Sequence, residues 1–238
     1  MTEIDWFQST DPRPLISFLL SNYGRSNIDR KLRMFALACC RELWGTLADE
    51  PTRTALALVE HIADGDQRPT QVGVIQLPVG QAVIDCDASD LGPVGWLGPP
   101  QGKGAEERFD MDAVPLNLAR FLEEAACARN VLWPSDWLVN RFEFAGLPPY
   151  RQLDFFRDVV RCPAQPVHFQ QAWLRSNGAL VRRMAERMYA AEDFADLPIL
   201  ADALEDAGCT SSEILDHCRE PRRHVRGCWV VDLLLGKW

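Results

Sequence analysis

Residues Asn27–Leu47 read NIDRKLRMFALACCRELWGTL. Leu32, Phe35, Ala36, Cys39, Leu43 and Leu47 recur at steps of three and four, which places them on one face of a helix. Met34, Leu37 and Trp44 widen that face, while Lys31, Arg33, Arg41 and Glu42 lie off the stripe or near its edge. No alternating polar and apolar pattern competes with this period, so the segment predicts a long core helix.

The same period extends outward on both sides. Thr10–Asp11–Pro12 is a helix start, a capping side chain followed by proline in the first turn. Leu15, Ile16, Phe18, Leu19 and Leu20 follow, and Gly24 ends the run. Asp49–Glu50–Pro51 opens another helix with acid at the positive end of its dipole. Further helices are expected over Pro115–Val131, Tyr150–Val160, Ala172–Ala191 and Asp193–Gly208. Thr210 and Glu213 have capping-box spacing ahead of Ile214 and Leu215. Gly227–Leu235, with Trp229, Val230, Leu233 and Leu234, predicts a buried final helix.

Between residues 67 and 107 the helical period disappears. Gly73, Gly80, Gly92, Gly95, Gly98, Gly102 and Gly104 alternate with prolines such as Pro78 and Pro93. Val72, Val74, Ile75 and Leu77 with Gln81, Val83 and Asp85 suggest a short hairpin, and Ser89–Glu107 a long loop. Trp96, set among glycines and prolines, is the candidate anchor for a partner. The fold class is therefore all-α: a single helical domain over 1–238 with a Gly/Pro-rich, partly extended insertion near 67–107.

Composition sets outer limits on function. The chain has 238 residues, 47% hydrophobic and 25% charged, enough apolar material for a sizeable core. A formal charge of -9 argues against a dense phosphate-binding face. Arginines cluster at Arg182–Arg183–Arg187 and at Arg219–Arg222–Arg223–Arg226, and short runs of this kind are usually solvated helix faces. The polar, acidic start Met1–Asp11 lacks the form of a secretory signal. No stretch approaches the roughly 18 apolar residues of a membrane span. Cytoplasm is the expected location, where the eight cysteines stay reduced.

Both ends of the chain carry unusual strings. Trp6 with Thr10–Asp11–Pro12, Arg30–Ala36 (RKLRMFA) and Ala38–Arg41 (ACCR) open it. Leu197–Cys209 (LPILADALEDAGC), His217–Cys218–Arg219 and His224–Lys237 (HVRGCWVVDLLLGK) close it. These strings resemble a family of uncharacterised proteins found in many copies in planctomycete bacteria of the Gemmata type. The likeness covers roughly residues 5–65 and 150–237. It implies a lineage and a helical fold but no activity. The middle departs from it: the family carries an alanine- and arginine-rich helical stretch where this chain has its Gly/Pro-rich segment.

Three constellations have chemical potential. Cys209, His217, Cys218, His224 and Cys228 offer five zinc-type donors within twenty positions. There is no Cys-x2-Cys knuckle, and a proline and three arginines separate Cys218 from His224 or flank them, so the spacing favours packing thiols and hydrogen-bonded histidines over zinc. His224, Cys228 and Asp232, spaced by four, would share a helix face, but the cysteine stands between the acid and the histidine. Cys39–Cys40 diverge around a helix and read as packing. Asp202, Glu205 and Asp206 are expected to pair with Arg222, Arg223 or Arg226.

The expected function is thus a non-enzymatic helical interaction module, with no cofactor and another protein as its partner. The alternative is a zinc- or thiol-dependent protein centred on Cys209, His217, Cys218, His224 and Cys228. A second alternative is nucleic-acid contact through the C-terminal arginines.

Overall fold

A computed structural model describes residues 1–23, 25–43, 64, 75–77, 80–82, 135–165 and 167–237. Trp96 and the expected helices after Asp49 and over Pro115–Val131 lie outside the described residues.

The N-terminal part runs through α1 (Glu3–Gln8), α2 (Pro12–Tyr23) and α3 (Arg25–Glu42). α1 was not legible in the sequence; a reciprocal cap starts it, with Thr2 Oγ1 accepting from the Asp5 amide and Asp5 Oδ2 accepting from the Thr2 amide. At its other end Arg157 donates to the carbonyls of Trp6, Phe7 and Ser9 at 2.6, 2.9 and 2.9 Å, a cation where the helix dipole is negative. Two short strands, β1 (Ile75–Leu77) and β2 (Gly80–Ala82), pair antiparallel with Gln76 opposite Gln81. They fall inside the expected insertion. Apart from them, the described residues are helical or irregular, in accord with the all-α expectation.

The C-terminal part comprises α4 (Ser135–Phe144), α5 (Pro149–Val159), α6 (Leu180–Ala191), α7 (Leu197–Asp206), α8 (Ser212–Arg219) and α9 (Trp229–Leu235). The helix expected over Ala172–Ala191 begins only at Leu180. Asn177 (φ 49°), Gly178 (φ 63°) and Ala179 (φ 62°) are left-handed, which stops any helix from passing through them. Ser211, not Thr210, stands at the N-cap of α8, and its hydroxyl bonds the Glu213 carboxylate.

Two hydrophobic clusters form. The first joins α1–α5 around Phe35, whose ring meets Phe156 edge-on at 5.4 Å and Phe142 at 6.4 Å. The second gathers Trp173 and α6–α9 around Leu200, Leu204, Ile214 and Val230. α3 is buried beyond its expected face: Ala38 and Cys40 are inside with Met34 and Leu37, and so are Lys31 and Arg33. α9 and the turn before it reach its far side at Arg30, Lys31 and Met34. Lys31 Nζ donates to the Gly227 carbonyl at 3.1 Å and to Asp232 at 2.5 Å, and Arg30 pairs with the same carboxylate. Gly227 sits at φ +93°, and a Cβ there would stand 2.7 Å from Met34 Cβ. Glycine is required at that position by both backbone and space. This close approach carries the α8–α9 connection from one cluster to the other, with Val225 packed into the first.

Candidate metal centre

Helix α5 carries an amphipathic pattern in which Gln152, Phe155, Phe156 and Val159 face inward. Asp158 is drawn inside with them and is fully buried. A buried carboxylate is costly without partners, and its partners come from the other end of the chain. Oδ2 accepts from the Val225 amide at 2.8 Å. Oδ1 lies 2.6 Å from His224 Nδ1 and 3.2 Å from His217 Nε2. His217 is on the inward face of α8; His224 is in the α8–α9 connection; Cys228 is the N-cap residue of α9.

One donor atom from each of Asp158, His217, His224 and Cys228 lies within 4.8 Å of the other three. Cys228 Sγ is 3.2 Å from His217 Nε2 and 4.0 Å from His224 Nδ1. A tetrahedral zinc with ordinary Zn–N and Zn–S bonds needs donor separations of about 3.3–3.7 Å, so these distances bracket the requirement. The side chains of Asp158 and Cys228 are sealed, and those of His217 and His224 are 7% and 5% exposed. Such closure is what a structural zinc site has, whereas a catalytic one keeps an open position.

Hydrogen-bond polarity fixes the protons of the metal-free centre. The Trp229 indole N–H can only donate, and it reaches His217 Nδ1 at 3.0 Å. His217 Nδ1 is therefore a bare acceptor, and the proton of the neutral ring is on Nε2, directed at Asp158 and Cys228. His224 Nδ1–H donates to Asp158, which leaves His224 Nε2 buried with no partner among the described residues. Burial pushes the His217 imidazole pKa down, more than neighbouring Asp158 restores. Burial alone raises the Asp158 carboxyl, but hydrogen bonds from His217 and His224 overcome it and hold the group well below the usual carboxylate range. Burial, with Asp158 nearby, pushes the Cys228 thiol well above the ordinary thiol range.

These facts separate two chemistries. In a nucleophilic triad the histidine stands between acid and nucleophile and uses both ring nitrogens. Here His217 turns the same nitrogen to Asp158 and to Cys228, and so does His224. The donors converge on a point, as ligands do, instead of forming a relay. A sealed thiol of raised pKa is also a poor nucleophile.

Of the five expected donors, His217, His224 and Cys228 meet, while Cys209 and Cys218 are buried outside the group of four. Burial pushes the Cys218 thiol up to about 12. Asp232 does not join His224 and Cys228; it is held by Lys31 and Arg30 instead. The member of the group that the sequence reading missed is Asp158, 66 residues before His224. Its only local signal was helical spacing from Phe155 and Cys162; Arg151, Asp154 and Arg161 stand at helical spacing from it too, so the sequence around it reads as a mixed, solvated face. The acids of α7 also pair differently from expectation: Asp202 and Glu205 hold Arg219, because α8 packs directly on α7. Arg222, Arg223 and Arg226 turn to Glu220, Glu42 and the pair Asp64 and Glu192. The C-terminal arginines are thus distributed among carboxylates instead of forming one basic stripe.

No described helix is long and apolar enough to cross a membrane. Compared with known proteins, the chain matches no family model, no curated protein and no solved structure.

Proposed function

We propose that the protein is a non-enzymatic helical module whose two hydrophobic clusters are joined by a zinc ion held by Asp158, His217, His224 and Cys228. The observation that carries this reading is the convergence of four buried donors from both clusters onto one point. Asp158 comes from the α1–α5 side; His217 and Cys228 belong to the α6–α9 side. Zinc held at this point would displace the Nε2 proton of His217, the Nδ1 proton of His224, which would move to the buried Nε2, and the thiol proton of Cys228. It also costs the Trp229–His217 hydrogen bond, since a metal on Nε2 moves the ring proton to Nδ1, facing the indole N–H. That loss is about 1–3 kcal/mol, small beside the roughly 10–16 kcal/mol of structural zinc sites. Such a module works through the surface it holds rigid. Another protein fits its acidic balance better than a nucleic acid does.

The test is elemental analysis of protein purified without chelator, with thiols counted before and after unfolding. One zinc per chain, lost in both Asp158→Ala and His224→Gln, supports the reading. Metal-free protein that takes up no added zinc, and whose melting temperature ignores EDTA, overturns it.

A further inference from the structure

A sealed metal centre still has to exchange its ion, so a path from solvent to the ligands is part of such a site. A cavity of about 440 Å³ lies between α1, the segment after α5 and α8. Phe7, Ala164, Ser212 and Asp216 are exposed and stand at its mouth; the buried His217 and Trp229 stand at its floor. His217 turns Nε2 inward to Asp158 and Cys228, and its Nδ1 receives the Trp229 indole. One imidazole ring thus separates the cavity from the point on which the four donors converge. Asp158, His224 and Cys228 line neither this cavity nor the smaller one between α5 and the segment after α8.

We infer that zinc enters and leaves the centre through this cavity, with the His217 ring as its gate, a route that presupposes the zinc reading above. Rotation of the ring about its own side-chain bonds breaks the hydrogen bonds of one residue. Parting α5 from the α8–α9 connection instead breaks the Val225–Asp158 bond and draws Val225 out of the first cluster. The smaller disturbance is the one that opens onto the cavity. Its wall also suits a dication in passage. The carboxylates of Glu3, Glu213, Asp216 and Glu220 outnumber the guanidinium groups of Arg157, Arg161 and Arg222. Arg157 and Arg161 are turned to backbone carbonyls and Arg222 to Glu220. A gate of this kind sets the rates of zinc uptake and release and leaves the equilibrium affinity unchanged.

The test is the time course of zinc transfer from the loaded whole chain to an excess of a chromophoric chelator. Ala164→Trp and Ser212→Trp each fill the mouth with a bulky ring at an exposed position and should slow transfer at least threefold. Phe7→Ala widens the mouth, keeps the carbonyl that Arg157 uses, and should quicken it. Asp154→Trp is the control: it adds the same bulk to the smaller cavity, which none of the four ligands lines, and should transfer at the parental rate. Zinc content and equilibrium affinity should equal the parent's in all four variants, and circular dichroism checks that each is folded. Loaded Ala164→Trp and Ser212→Trp that release zinc at the parental rate, or Asp154→Trp slowed as much as they are, overturn the route and leave the zinc reading standing. Parent protein that takes up no zinc overturns both.

Discussion

Replacing Trp229 with phenylalanine is expected to tighten zinc binding, although it removes a contact. In the metal-free protein the indole N–H satisfies His217 Nδ1 at 3.0 Å. Zinc on Nε2 forces a proton onto Nδ1, so two buried N–H groups then face each other without an acceptor. In Trp229→Phe the metal-free ring already lacks that bond, and loading strands only one donor. The difference is one buried hydrogen bond, or the penalty for one unsatisfied donor, about 1–3 kcal/mol. At about 1.4 kcal/mol per decade this is roughly a 5- to 150-fold gain in zinc affinity. Competition against a chromophoric chelator of known affinity measures it directly. The metal-free variant is expected to be less stable than the parent, because phenylalanine underfills the site of a 5% exposed tryptophan. Zinc affinity equal to or weaker than the parent's, in a folded variant, would refute the proton assignment at His217.

Other expectations follow from the same contacts. Gly227→Ala forces a side chain into the left-handed region and against Met34, which costs about 2–5 kcal/mol from backbone and overpacking together; a urea midpoint within error of the parent would contradict this. Asp232→Ala removes the buried carboxylate that Lys31 and Arg30 share, though Arg30 keeps Asp64, and should destabilise by about 3–5 kcal/mol, measured the same way. For metal-free protein, the Asp158 pKa is lowered on folding, so its contribution is fully present above the unfolded carboxylate range. That contribution fades as pH falls from about 5 through the folded value. Asp158→Asn should therefore flatten the acid limb of stability against pH, and an unchanged limb would assign acid unfolding to other groups.

The sequence made the helical period of α3 plain, as well as the start of α2 and the burial of α9, because each follows from local spacing and turn chemistry. It did not reveal why Lys31 and Arg33 are inside. Arg33 pairs within its own helix, with Asp29, but the carboxylate that holds Lys31 is Asp232, which no window around residue 31 contains. The break at Asn177–Ala179 carried a local signal that the helical period masked: Asn177–Gly178 is a turn dipeptide whose residues both tolerate the left-handed region, and only Ala179 gave no warning. The candidate centre was half visible. His217, His224 and Cys228 stand close together in the chain, so composition alone drew attention to them. Asp158 could be associated with them only once α5 was docked. Cys209 and Cys218 were included on residue type, and the packing of α8 on α7 turns them away.

The ion pairs of Lys31 and Arg30 with Asp232 join positions 201 and 202 residues apart. Contacts at such separation are slow to close, and on a ribosome they cannot begin until residues 227–237 have been synthesised. Until then Lys31 and Arg30 lack the carboxylate they share, although Arg30 also reaches Asp64 and Tyr189. The 227–237 segment is therefore among the last pieces of the fold that can dock, and its arrival supplies the acid common to both cations of α3.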